Sequence, residues 1–134
     1  MTLAFIILVI AAGLYTKKVN PADMIAGYWK GTLYTGTSIT IINRINGTTS
    51  VCLLINNGFR RTSTSHFEGH YDMKPGLFSS YCIDASGHSS INIETSNISM
   101  RSMKGVVFLS VEKLGTLAYD FEVTRQYNLH WSMN

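Results

Sequence analysis

The chain has 134 residues, of which 46% are hydrophobic and only 14% are charged, and its formal net charge is +3. This length allows one domain and leaves little room for a second. The apolar content and low charge exclude intrinsic disorder, which needs few apolar residues and many charges. The eleven Lys and Arg residues occur in runs no longer than two, which argues against a nucleic-acid-binding surface.

The first predicted element is an uncharged apolar run from Leu3 to Tyr15, LAFIILVIAAGLY. As a helix this run would be about 20 Å long, which is shorter than a bilayer core of about 30 Å. It is typical of a signal-peptide hydrophobic region, or of a short anchor that borrows neighbouring residues; a buried core helix is the alternative. We therefore predict that residues 1–18 are a signal peptide or membrane anchor.

Residues 19–26 are predicted to be a linker with a short helical turn. Asn20 can cap the turn, Pro21 suits the first helical position, and Gly27 would end it. From Gly27 to the end, no helix-length stretch has a period of 3.6 residues. Turn signals recur instead at Asn46-Gly47, Asn57-Gly58, Lys74-Pro75-Gly76, Ser86-Gly87, Lys104-Gly105 and Leu114-Gly115.

Apolar and polar residues alternate between these turns, as half-buried strands require. In the clearest case, Thr116 to Arg125, the odd positions from Leu117 to Val123 are apolar and the even positions are polar, except Ala118. The run from Val106 to Val111 is apolar on both faces, which predicts that it is covered twice or contacts a partner. The predicted strands lie near residues 28–35, 38–45, 49–56, 62–73, 77–84, 89–98, 106–113 and 116–126.

About eight short antiparallel strands with tight connections predict an all-β, up-and-down barrel over residues 27–134, or else a sandwich. A barrel of this size has an interior that is filled by side chains or that holds one small ligand. Because the strands are short, we expect a mostly filled interior. The apolar run would precede the barrel as an N-terminal hydrophobic helix.

Gly27-Tyr28-Trp29 opens the first strand, and Arg125 lies in the last long one. This pair resembles the lipocalin (calycin) signature, in which the tryptophan of a G-x-W motif packs against an arginine of the closing strand. The resemblance implies that Trp29 and Arg125 form a structural lock at the closed end of the barrel, with a cation–π contact between them.

The layout also resembles small enterobacterial proteins of the FidL and ToxS type. The residues that carry this resemblance are Trp29-Lys30-Gly31-Thr32-Leu33, Leu53 to Asn57, Gly58 and Phe67-Glu68-Gly69. Such proteins join an N-terminal membrane segment to an extracytoplasmic β-domain, and they assist a membrane-spanning transcription regulator. The resemblance implies an inner-membrane protein with a periplasmic domain, or a periplasmic or secreted protein if the N-terminal segment is cleaved.

His66, Glu68 and His70 would project from one face of a strand at intervals of about 6.6 Å. One strand cannot complete a metal shell, and the spacing does not match the helical zinc-protease motif. A solvated polar face is the simpler interpretation, and we predict neither a metal nor a cofactor. Asp120 and Glu122 share an exposed face, and His88 has no evident acid partner, so we predict no catalytic site and no enzyme.

Cys52 and Cys82 are a candidate disulfide pair, since exported domains fold in an oxidising compartment. A simple meander sets their strands about 9.6 Å apart, beyond disulfide reach, so a bond would require another strand order. Arg60 and Arg61 are candidates for contact with an acidic partner or with phospholipid headgroups. Trp131 lies in an alternating tail that extends the last strand or offers an apolar edge to a partner.

These patterns predict a non-enzymatic, exported or membrane-anchored accessory protein whose barrel binds a partner protein. By resemblance, that partner is the extracytoplasmic domain of a membrane-bound transcription regulator. Two alternatives stay open: a lipocalin-like carrier of a small apolar ligand such as a fatty acid, and a periplasmic immunity or inhibitor protein.

Overall fold

Eight antiparallel strands close into a barrel in the computed structural model, which describes residues 25–56 and 62–126. The strands are β1 (Gly27–Leu33), β2 (Ser38–Asn43), β3 (Thr48–Asn56), β4 (Thr62–Lys74), β5 (Leu77–Asp84), β6 (Ser89–Ile98), β7 (Ser102–Val111) and β8 (Gly115–Arg125). Each strand pairs with the next in sequence, and β8 pairs with β1, so the topology is up-and-down. The prediction of an all-β barrel of eight antiparallel strands is confirmed, and the sandwich alternative is wrong.

The predicted N-terminal hydrophobic helix and the assignment of residues 1–18 lie outside the described residues. Within residues 25–56 and 62–126, the structure has no helix of the length and hydropathy needed to cross a membrane.

Side chains that alternate along each strand fill the barrel, because successive residues of a strand point to opposite faces. The fully buried interior set includes Trp29, Ile39, Ile41, Val51, Phe78, Cys82, Ile91, Ile93, Met103, Val107 and Val123. On β4 the odd positions face this core, with Phe67 buried, while His66, Glu68 and His70 are exposed on the outer surface. The face assignments predicted from the alternation on β4 therefore agree with the structure.

One predicted turn is wrong. Lys104-Gly105 lies inside β7, and the chain reverses before it, where the amide of Ser99 donates to the carbonyl of Ser102. The glycine serves interstrand packing instead: a Cβ on Gly105 would lie 2.0 Å from the backbone oxygen of Glu94 on β6. The close approach falls where the β6–β7 register shifts between Thr95 and Asn97. Glycine is common where a second backbone approaches a strand closely.

The two ends of the barrel differ. At one end the indole N–H of Trp29 and the side-chain amide of Asn43 both donate to the carbonyl of Ile25, at 2.9 and 3.2 Å, and Ile25 is buried. At the other end, Leu117 faces inward opposite Leu109, yet 59% of its surface is exposed. The barrel is thus closed at the Ile25 end, and we call the Leu117 end the mouth.

Candidate functional site

The structure brings Trp29 and Arg125 together at the closed end. The two residues are directly paired in the β1–β8 ladder, and the Arg125 guanidinium carbon lies 4.6 Å from the Trp29 ring centroid. A cation placed over an indole face is attracted by the ring quadrupole, by about 0.5–2 kcal/mol. Trp29 is fully buried, so the contact seals the interior at this end.

The Arg125 guanidinium also joins three chain segments. Its Nη1 donates to the carbonyl of Ala26 at 2.7 Å, just before β1, and its Nε donates to the carbonyl of Met100 at 2.9 Å, between β6 and β7. The backbone amide of Gln126 donates to Tyr28, which extends the β1–β8 ladder by one bond. These contacts make Arg125 a structural residue that holds the barrel closed.

The candidate disulfide between Cys52 and Cys82 is not formed, and both residues are free thiols. Cys52 lies opposite His66 and Cys82 lies opposite Gly69, so the cysteines are two strands apart and three residues out of step along β4. The two strand spacings alone separate them by about 9.6 Å, beyond the Cα separation of a disulfide. They also face opposite sides of the sheet: Cys82 is buried in the interior and Cys52 lies on the outer surface.

A polar network covers the outer surface of β3 and β4. Ser50 is buried, and its hydroxyl lies 2.8 Å from each carboxylate oxygen of Glu68. Arg44 donates from Nη2 to Ser50 Oγ at 2.7 Å, and its Nη1 lies 3.7 Å from Glu68 Oε2. The Arg44 charge and the Ser50 hydroxyl together fix the Glu68 carboxylate in place.

The network continues from Glu68 to a cysteine. His66 Nε2 lies 2.7 Å from Glu68 Oε1, and His66 Nδ1 lies 3.1 Å from the sulfur of Cys52. Ionised Glu68 can only accept a hydrogen bond, so Nε2 carries the proton. The opposite ring nitrogen of a neutral imidazole is then an acceptor, and it faces the Cys52 thiol. The sequence pattern placed His66 and Glu68 on one face but did not reveal that the Cys52 thiol contacts His66.

Local interactions shift the pKa values of both ends of this chain of contacts. Burial pushes the pKa of Glu68 upward, but hydrogen bonds from Ser50 and His66 and the nearby positive charges outweigh it, and the pKa lies below its ordinary value. Burial raises the pKa of the Cys52 thiol, and the negative charge of Glu68 raises it further. At neutral pH the carboxylate is therefore ionised and the thiol keeps its proton.

Two further titratable groups meet at the mouth. His88 Nδ1 contacts the carboxylate of Glu112, and the backbone amide of Glu112 donates to the carbonyl of His88. The expectation that His88 has no acid partner was wrong, because the β5–β6 and β7–β8 turns lie side by side. Both side chains are more than half exposed, so this contact contributes little stability.

Strands β7 and β8 carry further charged side chains on the outer surface. Asp120 and Glu122 both point outward from β8, and Glu122 lies 3.9 Å from Lys104 on β7. Within residues 25–56 and 62–126, no group of three His, Cys, Asp or Glu side chains is arranged to hold a metal ion.

The outer surface of β5 to β8 carries a patch without charged side chains. Cross-strand pairing aligns Tyr81, Asn92, Phe108 and Ala118 in one row across the four strands. We call the nine outward residues around this row the uncharged outer face. They are Tyr81, Ile83, Ser90, Asn92, Val106, Phe108, Ser110, Thr116 and Ala118.

The predicted partner residues Arg60, Arg61 and Trp131 lie outside the described residues. The only sequence signal for the uncharged outer face was the run from Val106 to Val111, whose outward apolar members Val106 and Phe108 are half-buried.

Comparisons with known proteins bear on the fold alone. No family model matches the chain, and no curated protein matches its sequence. The crystal structure of Tp0751 (Pallilysin) from Treponema pallidum has a TM-score of 0.55 at 12% identity, over 96% of this chain and 98% of that one. A redesigned β-barrel has a TM-score of 0.54 at 15% identity, over 81% of this chain and 97% of that one. The chain therefore shares a small-barrel fold with both.

Proposed function

We propose that this chain is a non-enzymatic accessory protein whose β-barrel binds a partner protein. We further propose that it is exported and stays at the inner membrane through residues 1–18, or is periplasmic if they are cleaved. The apolar run from Leu3 to Tyr15 supports export, and the resemblance to the FidL and ToxS type points to a membrane-bound transcription regulator as the partner.

The observation that carries the proposal is the uncharged outer face. The centres of protein interfaces are depleted of charged residues and enriched in aromatic ones. Here Tyr81, at 59% exposure, Ile83, at 47%, and half-buried Phe108 lie among small neutral side chains across four neighbouring strands. A folded partner domain with an uncharged patch of its own would remove the exposed apolar parts of Tyr81 and Ile83 from water.

Co-purification tests the proposal. The tagged full-length chain is isolated from its host, the co-purifying proteins are searched for a membrane-bound regulator, and the same experiment is repeated with Tyr81→Asp and with Ile45→Asp. Ile45 is more exposed than Tyr81 but lies in the β2–β3 turn, away from the uncharged outer face, so it is the matched control. We expect Tyr81→Asp to abolish co-purification and Ile45→Asp to preserve it. Equal recovery in both variants, or no regulator with the wild type, would overturn the proposal.

A lipocalin-like carrier of a fatty acid is the second candidate, favoured by the mouth. Leu117 and the half-buried Leu109 and Tyr119 present apolar surface there. Below them the interior is filled, with Phe121 and Val107 buried, so a ligand would have to rest on the mouth or displace core side chains. Titration with a fluorescent fatty acid separates the two functions: saturable binding that is lost in Leu117→Asp favours the carrier.

A further inference from the structure

We propose that Cys52 is a nucleophilic thiol, with His66 as its proton acceptor and Glu68 as the residue that positions His66, and that it forms mixed disulfides with small-molecule disulfides. The site lies on β3 and β4 and is separate from the uncharged outer face, so it does not depend on the proposed partner. A nucleophile within hydrogen-bond reach of a base that is itself oriented by a third group is the general arrangement of an activated side chain.

The contacts have the order that such activation needs. Cys52 Sγ lies 3.1 Å from His66 Nδ1, and the other ring nitrogen is held 2.7 Å from Glu68. Glu68 is in turn held by Ser50, whose hydroxyl already accepts a bond from Arg44. The contact between His66 Nε2 and Glu68 Oε1 fixes the ring orientation, with the other ring nitrogen toward the thiol.

The surroundings of the thiol explain why it needs a base. Strand β4 brings two titratable groups, His66 and Glu68, close to Cys52. On the other side of Cys52, strand β2 places the uncharged Thr40 opposite it. Burial and the Glu68 charge raise the pKa of the thiol, so unaided thiolate is scarce at neutral pH. Transfer of the proton to His66 supplies the nucleophile at the moment of attack.

The reaction is balanced without any further reagent. The Cys52 S–H proton passes to His66 Nδ1 as Sγ attacks one sulfur of the disulfide. A new S–S bond forms, the S–S bond of the reagent breaks, and the second sulfur leaves as a thiolate, while the proton accepted by His66 passes to water. The Cys52 sulfur is oxidised and the leaving sulfur is reduced.

The other thiol of the chain is an internal reference. Cys82 is fully buried in the barrel, and burial, with a smaller contribution from Glu68, raises its pKa to about 12. It is shielded from reagents in the folded protein, so labelling of the native chain reports on Cys52.

The experiment follows the release of coloured thiolate from dithiobis-nitrobenzoate by the full-length chain as a function of pH. We expect the wild-type rate to have two limbs, one from the imidazole-assisted reaction and one at higher pH from the free thiolate. His66→Gln should lose the lower limb and slow labelling near neutral pH by at least about tenfold. His70→Gln, on the same outer surface of β4, is the matched control and should leave the profile unchanged. Cys52→Ser should abolish labelling of the folded chain.

Glu68→Gln tests the positioning role by the direction of its effect. If Glu68 acted on the thiol only through its charge, its removal would lower the pKa of Cys52 and speed the reaction. If it orients His66 and strengthens it as a base, its removal slows the reaction, which is the result we expect. Unchanged labelling in His66→Gln overturns the role of His66, and faster labelling in Glu68→Gln overturns that of Glu68. The near-ultraviolet dichroism of buried Trp29 confirms that each variant is folded.

Discussion

Trp29 and Arg125 occupy the same rung of the β1–β8 ladder, and the guanidinium carbon lies 4.6 Å from the indole centroid. The residues are almost the whole length of the domain apart in sequence, so their contact exists only when the last strand has met the first. The Trp29 ring covers the barrel interior at this end, and the Arg125 guanidinium hydrogen-bonds to the neighbouring chain segments. The core at this end is therefore buried only in a barrel whose first and last strands have paired.

Replacing Trp29 by Ala should lower the free energy of unfolding by roughly 3–5 kcal/mol, since it removes a fully buried indole and leaves a cavity. Denaturant unfolding measures the effect. Trp29→Phe retains an aromatic ring but loses the hydrogen bond to Ile25, so its loss should be smaller. A neutral Trp29→Ala would show that the ring does not close the barrel.

Replacing Arg125 by Lys should lower the free energy of unfolding by about 1–2 kcal/mol. Lysine keeps the charge but cannot donate in two fixed directions, so the bonds to Ala26 and Met100 cannot both form. Arg101→Lys is the matched control, because the side chain of Arg101 is exposed. Equal stability of the two variants in urea would contradict the structural role of Arg125.

Acid should weaken the barrel through Glu68. The pKa of Glu68 is lower in the folded chain than its ordinary value of 4.5, so its contribution is present above that value and is lost as the pH falls through the folded pKa. Glu68 is more than half exposed, so we expect a modest effect. Melting temperatures recorded from about pH 6 to about pH 3 should fall less steeply in Glu68→Gln than in the wild type. Ser50→Ala, which removes one hydrogen bond to the carboxylate, should give an intermediate slope.

Gly105→Ala, which adds one methyl group, should lower the free energy of unfolding by about 3 kcal/mol. This is near the upper end of the usual cost of overpacking a core, about 1–3 kcal/mol. The new Cβ would overlap the Glu94 carbonyl, so β6 and β7 would have to separate. Gly36→Ala is the control: nothing lies within 4 Å of its Cβ, and its φ of +88° costs only about 1–2 kcal/mol. Urea unfolding should show the larger loss for Gly105→Ala, and the reverse order would contradict the close approach.

The period of two predicted which strand residues face the interior, and the number of strands with tight turns predicted a barrel or a sandwich. On β8 the period assigned Phe121 and Val123 to the core, and both are buried. The pattern could not distinguish a glycine in a turn from one inside a strand, since both lack a side chain. The Lys104-Gly105 pair has the sequence pattern of a turn. The role of Gly105 is instead set by the close approach of β6, a contact between strands that the local sequence does not show.

The Cys52–His66 contact could not be predicted from the sequence either, because it depends on the register of the β3–β4 hairpin. Register across a hairpin depends on the loop length, and a two-residue turn at Asn57-Gly58 would pair Cys52 with Ser63. The last described pair is instead Asn56 with Thr62, and Cys52 lies opposite His66. A shift of three residues in one hairpin decides whether the thiol meets an imidazole.

The pairing of β1 with β8 also decides how the domain is presented. The chain enters β1 at Gly27 and leaves β8 at Arg125, and these residues lie at the same pole of the barrel. Any attachment made through the residues before Ile25 or after Gln126 therefore holds the molecule at the closed end of the barrel. The mouth carries the turns at 34–37, 85–88 and 112–114. It then lies farthest from the point of attachment, at a distance of about the height of the barrel.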